Sequence, residues 1–293
     1  MADTPKAPNT LADEDISKTL QGITIPPRPQ VLVDLHLESA QPEPSLSEII
    51  NIISQDVGLT AAIIKTVNSP FFGLARKVST VQHALAMLGL ENALNIANAL
   101  ALRQAMANFD EDPLLVKFWD MQQDIAQACV TIARELNFST PEEAYTLGLF
   151  HNVGVPLMLT RFKDYRAVMT VAYKKGRIIP VEDQFLKTDH ATVGYYMARV
   201  WHLPEDLTES ILQHHNLAEI FQGPAVNDKR RSLIAILKVA EHVCGAYRLL
   251  GNQSVDREWE GYKEPILEQL HLDEDELADL IDRLNDMGLR SDY

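Results

Sequence analysis

The side chains of this sequence that could do acid–base or metal chemistry in concert are few: His151-Asn152, His190, His214-His215 and Glu241-His242. Imidazoles and carboxylates brought to one place can hold a divalent metal that generates hydroxide near neutral pH. Their spacing alone does not demand it, because the chain has no HExxH pair, Gly-rich phosphate loop, GxSxG elbow or CxxC pair. A single helical His is more often a hydrogen-bonded structural residue than a ligand. Taken one at a time, these positions stay open between the two roles.

Whatever gathers them must be helical. From about Ile25 onward apolar residues recur at helical spacing, Gly supplies only 13 of 293 residues, and no segment keeps the two-residue alternation of a half-buried strand. The pattern predicts an all-α protein. A Ser or Thr followed three positions later by Glu or Gln can satisfy orphan N–H groups at a helix start. Ser45…Glu48 predicts a helix with Leu46, Ile49, Ile50 and Ile53 on its apolar stripe, and Ser79…Gln82 one with Val81, Leu85 and Leu88. Thr140…Glu143, with Pro141 at the first helical position, predicts one running to Leu149. Asn68-Ser69-Pro70 ends the helix of Ile63, Ile64 and Val67, leaving Phe71-Phe72-Gly73 as a packed loop and Asn68 suited to a backbone hydrogen bond. Further helices are expected over Pro113–Leu136, around His151, over Tyr165–Tyr173 and Asp189–Trp201, and from Leu203-Pro204-Glu205 to His214-His215. Two more cover Ser232–Tyr247 and the acidic Leu272–Leu289, which should dock through Leu277, Leu280, Ile281 and Leu284. No linker rich in Gly, Ser or Pro separates the halves.

Composition narrows the function classes. With 26 Lys+Arg against 41 Asp+Glu the formal charge is 26 − 41 = −15, which repels a phosphate backbone unless a basic stripe overrides it. The best basic run, Lys229-Arg230-Arg231, lacks interleaved aromatics and reads as a solvated helix start, so no nucleic-acid partner is expected. No apolar run approaches the roughly 20 residues that span a bilayer, and MADTPKAPNT has no apolar signal core, so no membrane partner is expected either. Residues 1–24 read as a flexible leader, too short for a further domain. Cys129 and Cys244 are too few for a disulfide framework and point to a reducing, cytoplasmic setting.

Longer motifs change the odds on the histidines. Gly148-Leu149-Phe150-His151-Asn152-Val153-Gly154 resembles the GLLHDIG segment of the HD superfamily of metal-dependent phosphohydrolases. Asp189-His190 to Gly194, Trp201-His202-Leu203-Pro204-Glu205 and Ile211-Leu212-Gln213-His214-His215 resemble the H-x-x-x-G…W-x-L-P…I…H-H stretch of HDOD and HD-GYP domains. IISQDVGLTAAIIKTVNSPFFGL from Ile52 to Leu74 and VQHALAMLGL from Val81 to Leu90 are similar to the N-terminal motifs of HDOD, the HD-related output domain of bacterial signalling. The resemblance covers roughly residues 25–217. It implies an N-terminal helical lobe (25–112) and an HD-like lobe (113–217), with residues 218–293 as C-terminal helices completing the latter.

The resemblance also implies a residue-by-residue comparison with an active HD site, which uses a His, a His-Asp pair and a distant Asp. Here the first His is Met121, followed by Gln122; the pair reads His151-Asn152; and the closing acid is Glu241. A thioether is no ligand for a hard metal, and an amide removes the bridging charge. No catalytic residue is therefore expected. The HD-GYP variant fits less well, since Val155 replaces the Lys of HDxGK and residues 216–224, NLAEIFQGP, hold no GYP segment. The expected function is a non-catalytic, stand-alone signalling module with a vestigial pocket, acting on signalling proteins in trans. The alternative is a metal-dependent phosphohydrolase of nucleotides or cyclic dinucleotides. No cofactor is expected, but His151, His190, His214, His215 and Glu241 could still trap a divalent ion such as Zn²⁺, Ni²⁺, Fe²⁺ or Mg²⁺.

Overall fold

The computed structural model describes residues 18–72, 76–106, 113–223 and 226–289. Residues 1–17 of the leader, Gly73 and Leu74 of the Asn68 motif, and the lobe boundary at residue 112 lie outside the described residues. Every regular element among the described residues is helical. In chain order these are α1 (Gln30–Ser39), α2 (Leu46–Gln55), α3 (Val57–Val67), a 3₁₀ turn (Pro70–Phe72), α4 (Val81–Leu88) and α5 (Leu90–Ala105). The second half contains α6 (Pro113–Glu135), α7 (Pro141–Phe150), α8 (Gly154–Arg161), α9 (Tyr165–Lys175), α10 (Ile178–Leu186) and α11 (His190–Val200). It continues with α12 (Glu205–Gln213), α13 (Leu217–Gln222), α14 (Asp228–Cys244), α15 (Ala246–Leu249), α16 (Arg257–Leu270) and α17 (Glu274–Asp286).

The α6–α7 hairpin is the spine. A Cβ on Gly148 would lie 2.7 Å from the Cα of Ala126 and 3.1 Å from the Cys129 sulfur, so only glycine lets these helices close. α14 packs on both, and its long buried face, Leu233 to Ala240, meets theirs. The N-terminal helices wrap Ile49, Ile53, Leu59, Ile63 and Val67 away from solvent. No single described helix is long and apolar enough to cross a membrane; α2 and α3 would pass such a test together, but they are bent by 108° and those apolar side chains are buried inside the protein. α5 lies on α7, and buried Phe72 meets Tyr145 edge-on at 5.5 Å beneath the Arg134 guanidinium at 5.2 Å.

Local chemistry explains most element boundaries, with corrections. Ser45 caps α2 by accepting from the Glu48 amide, as expected. α4 is capped by Thr80, which accepts from the His83 amide, rather than by Ser79 with Gln82. Thr140 precedes α7, but its hydroxyl donates to the Glu143 carboxylate instead of accepting a backbone N–H, and the helix reaches Phe150. Asn68 clasps Val78, donating from Nδ2 to its carbonyl at 2.6 Å and accepting its amide at 2.7 Å. α10 and α16 were not anticipated: α10 is short with Pro180 in its first turn, and α16 carries Pro265 in its interior. The described end of the leader is packed, since Leu20 and Ile23 are buried and Arg161 donates to the Gln21 carbonyl.

The basic run opens α14 as expected, but it is tied down rather than solvated. Lys229 lies 2.8 Å from Glu143 and 3.4 Å from Asp206, Arg230 lies 3.6 Å from Asp206, and Arg231 donates to the carbonyls of Ile220 and Gly223. Burial works against the charge of Asp206, but the Asn227 amide, Lys229 and Arg230 hold its pKa below the ordinary carboxylate value. A carboxylate depressed in the folded state contributes stability above its unfolded pKa and loses it as pH falls through the folded one. Asp206→Asn is expected to cost about 0.5–1 kcal/mol at pH 7. That cost should shrink as pH falls through the folded-state pKa, which lies below the ordinary carboxylate value; urea unfolding at pH 7 and across the acid range checks both statements.

Candidate functional site

The turn between α7 and α8, the start of α11 and the end of α12 bring the predicted histidines together. α7 ends at Phe150, so His151 is its C-cap rather than a mid-helix residue, and α8 starts at Gly154. Gly154 has no room for a side chain: a Cβ there would sit 2.1 Å from the His190 carbonyl oxygen. Asp189 caps α11 by accepting the Thr192 amide, which fixes His190 at its first position. His214 is the C-cap of α12. The ring centroids of His151 and His190 each lie 5.3 Å from that of His214, and His215 is 4.1 Å from His214. Trp201 and Phe150 pack behind them as a fully buried pair.

The four rings share one hydrogen-bond logic. His151 Nδ1 lies 2.9 Å from the Gly148 carbonyl and His214 Nδ1 2.7 Å from the Ile211 carbonyl. His190 Nδ1 lies 2.8 Å from Glu182, and His215 Nδ1 2.8 Å from Glu258. Carbonyl and carboxylate oxygens only accept, so each Nδ1 carries the proton and donates. The Nε2 atoms are thereby left for other partners, and hydrogen-bond acceptors behind a ring orient metal-binding histidines in the same way. Ligand atoms of His190, His214 and His215 lie within 4.8 Å of one another. The Nε2 atoms of His190 and His214 approach to 3.3 Å, while buried His215 Nε2 has no partner.

Between His190 and His214 two lone pairs would face each other unless a proton or a cation intervenes. Burial opposes a charge on His190, but Glu182, itself held by the Tyr165 hydroxyl at 2.7 Å, raises its pKa above the ordinary imidazole value. Burial, then His215 and Lys238, push His214 well below that value. The pair is thus built to share one positive charge, whichever cation supplies it.

The carboxylate side of the site is already spent. Lys238, on α14 and buried, places its ammonium 2.7 Å from Glu241 and 3.1 Å from Glu258. Burial opposes every one of these charges, yet the mutual pairing raises the Lys238 pKa and pulls the carboxyls of Glu241 and Glu258 down. Glu241 turns its other oxygen to His151 Nε2 at 3.2 Å. Asn152 and Met121 are fully buried; the Asn152 amide lies 2.8 Å from His151 Nε2 and its Oδ1 is unpartnered. Gln122, one turn before Ala126 on the face that meets α7, is also fully buried with both amide atoms unpartnered. The donor set therefore suits one nitrogen-preferring ion at His190, His214 and His215, and does not suit a bridged pair of hard ions.

The HDOD domain family matches residues 25–217. The chain belongs to the HDOD family. Among solved structures, this HDOD chain is similar to an HDOD domain protein from Geobacter sulfurreducens, with 22% identity, TM-score 0.65, and 94% of this chain and 95% of the other covered. A candidate phosphohydrolase from Shewanella amazonensis gives 21% identity, TM-score 0.64 and coverage of 94% and 95%. A second Shewanella protein, a candidate metal-dependent phosphohydrolase, gives 17%, TM-score 0.61 and coverage of 92% and 97%. At these identities the likeness shows the shared fold. An uncharacterised Treponema pallidum protein is 26% identical over 196 residues, 66% of this chain, which spans 38% of that relative's length.

Of the five residues expected as metal ligands, His190, His214 and His215 bring their ligand atoms within 4.8 Å of one another, whereas His151 faces Glu241 and Glu241 is paired with Lys238. The supporting residues Glu182, Glu258 and Lys238 were not foreseen. Lys238 was legible as an i,i+3 partner of Glu241; Glu182 and Glu258 sit on α10 and α16, which were not anticipated. Removing the ammonium strands two buried carboxylates, so Lys238→Met is expected to destabilise the fold by about 3–5 kcal/mol. Adding Glu241→Gln and Glu258→Gln to Lys238→Met should recover a large part of that loss, and chemical denaturation of the single and triple variants decides it.

Proposed function

We propose that this HDOD protein is a cytoplasmic regulatory module of signal transduction that acts by contact with signalling proteins in trans and does not hydrolyse phosphoesters. The observation that carries this reading is the state of the site where the resemblance implies catalysis. Met121 and Asn152, both fully buried, stand in place of the His and the Asp, and the carboxylate at position 241 is neutralised by Lys238 at 2.7 Å. Lowering the pKa of a bound water near neutrality takes a metal with an open position and fixed ligands. A hydrolytic metal pair also needs carboxylates free to bridge it. Here an amide, a thioether and an ion-paired acid remain.

What the site can still do is hold its helices. His190, His214 and His215 would be the ligands of one borderline ion such as Zn²⁺, Ni²⁺ or Fe²⁺, whose chemistry there is that of a cationic pin between α11 and the end of α12. Glu182, Tyr165 and Glu258 orient those rings from behind. The two unpaired, buried thiols, Cys129 and Cys244, are in keeping with the cytoplasmic setting.

The test is turnover of purified protein against a panel of phosphomonoesters, nucleotides and cyclic dinucleotides with Mg²⁺, Mn²⁺, Zn²⁺ and Ni²⁺, alongside metal analysis. The expected result is no hydrolysis and no more than one tightly held ion, with any bound ion lost in His214→Ala. Hydrolysis that disappears in His151→Ala, or two ions per chain, would overturn the proposal.

A further inference from the structure

A cavity lies between the N-terminal helices and the turn after α11. It has a volume of about 160 Å³ and is lined by Arg28, His36, Asn95 and Asn98 of the N-terminal half and by His202 and Pro204 of the HD-like lobe. A single water needs only about 10–15 Å³ of such volume, so the space is metabolite-sized rather than a crevice for one solvent molecule. In a chain of formal charge −15, its described lining residues include a guanidinium and two imidazoles and no carboxylate.

The donors there are not satisfied. Asn95 is 3% exposed, and its Nδ2 has no hydrogen-bond partner. Arg28 donates from Nη2 to Asn98 at 3.3 Å, but its buried Nε has no partner either. Buried donors without acceptors are rare, because each loses its hydration with nothing in return. His36 and His202 stack with ring centroids 4.6 Å apart and planes 10° from parallel. His202 is held in this pose by an αL backbone, φ +56°, at a helix end where glycine is the usual choice; its own amide and that of Leu203 close the turn onto Arg199 and Ala198. Burial, then the charges of His202 and Arg28, hold the His36 pKa down, as expected where positive potential has no counter-charge.

We propose that this inter-lobe cavity is a binding site for a small oxyanion, a phosphoryl or carboxylate group, whose charge is met by Arg28, His36 and His202, with Arg28 Nε and Asn95 Nδ2, buried and unpartnered in this structure, turning to donate to its oxygens on binding. Occupancy would link α1 and α5 to the turn after α11. That would give the two lobes a ligand-dependent contact away from the four-histidine cluster. The proposal stands on this geometry and is independent of whether the histidine cluster hydrolyses anything.

Imidazole NMR of the full chain, titrated separately with inorganic phosphate and with acetate, tests it; signals missing in His36→Gln and His202→Gln assign the two rings. The expected result is saturable movement of both signals at millimolar anion, with an upward shift of the His36 titration. The anion that saturates tells phosphoryl from carboxylate. Loss of a charge-assisted donor in Arg28→Gln should weaken binding about tenfold or more. Asn95→Leu should do the same, and circular dichroism confirms that each variant is folded. If Asn95→Leu does not fold, the half-buried Arg28 variant still decides. No saturable shift with either anion, or affinity unchanged in Arg28→Gln, would overturn the proposal.

Discussion

A buried ammonium must be neutralised, and in this protein Lys238 is neutralised twice, at 2.7 Å by Glu241 and at 3.1 Å by Glu258. Each carboxylate then reaches a different histidine, Glu241 to His151 and Glu258 to His215. One charge on α14 thereby ties α16, the turn after α7 and the end of α12 into a single network. Ion pairs of this kind contribute little net stability against an apolar core, because the cost of desolvating the charges offsets their attraction. Their effect is to fix geometry, since any displacement leaves a buried charge without its partner.

The same constraint bears on chemistry. A carboxylate that must neutralise Lys238 is not free to bind a hard metal ion, and Asn152 and Met121 offer no replacement. On the nitrogen side the network has the opposite consequence. Each of the four imidazoles is held through Nδ1 by a carbonyl or a carboxylate, and His190, His214 and His215 keep their ligand atoms within 4.8 Å of one another while the His151 Nε2 faces Asn152 and Glu241. The cluster thus keeps the arrangement of a metal site while having lost the oxygen ligands of a hydrolytic one.

Much of the molecule was legible before any coordinates. Glu48 amide to Ser45, Asn68 to Val78 and Pro141 at the first turn of α7 are short-range chemistry, settled within about ten residues of chain. The boundaries that failed did so over equally short distances: Thr80 took the cap expected of Ser79 because its position lies nearer the first free amides of α4. α10 and α16 escaped because a proline in each masks the helical pattern, one in a first turn where it costs little and one inside a helix whose packing overrides it. The price of missing them was Glu182 and Glu258, the two acids that orient half of the histidines.

The sequence by itself determined that the chain is helical, that His151, His190, His214 and His215 belong to one motif set, and that Met121 and Asn152 depart from a hydrolytic one. Those are properties of residue type and local spacing. Only the tertiary structure decided that Glu258 orients His215, that Lys238 also reaches Glu258, and that Arg28 and Asn95 line one cavity with His202. These depend on distances between residues tens to more than a hundred positions apart, and on the loss of water when helices close, neither of which is written in any local pattern.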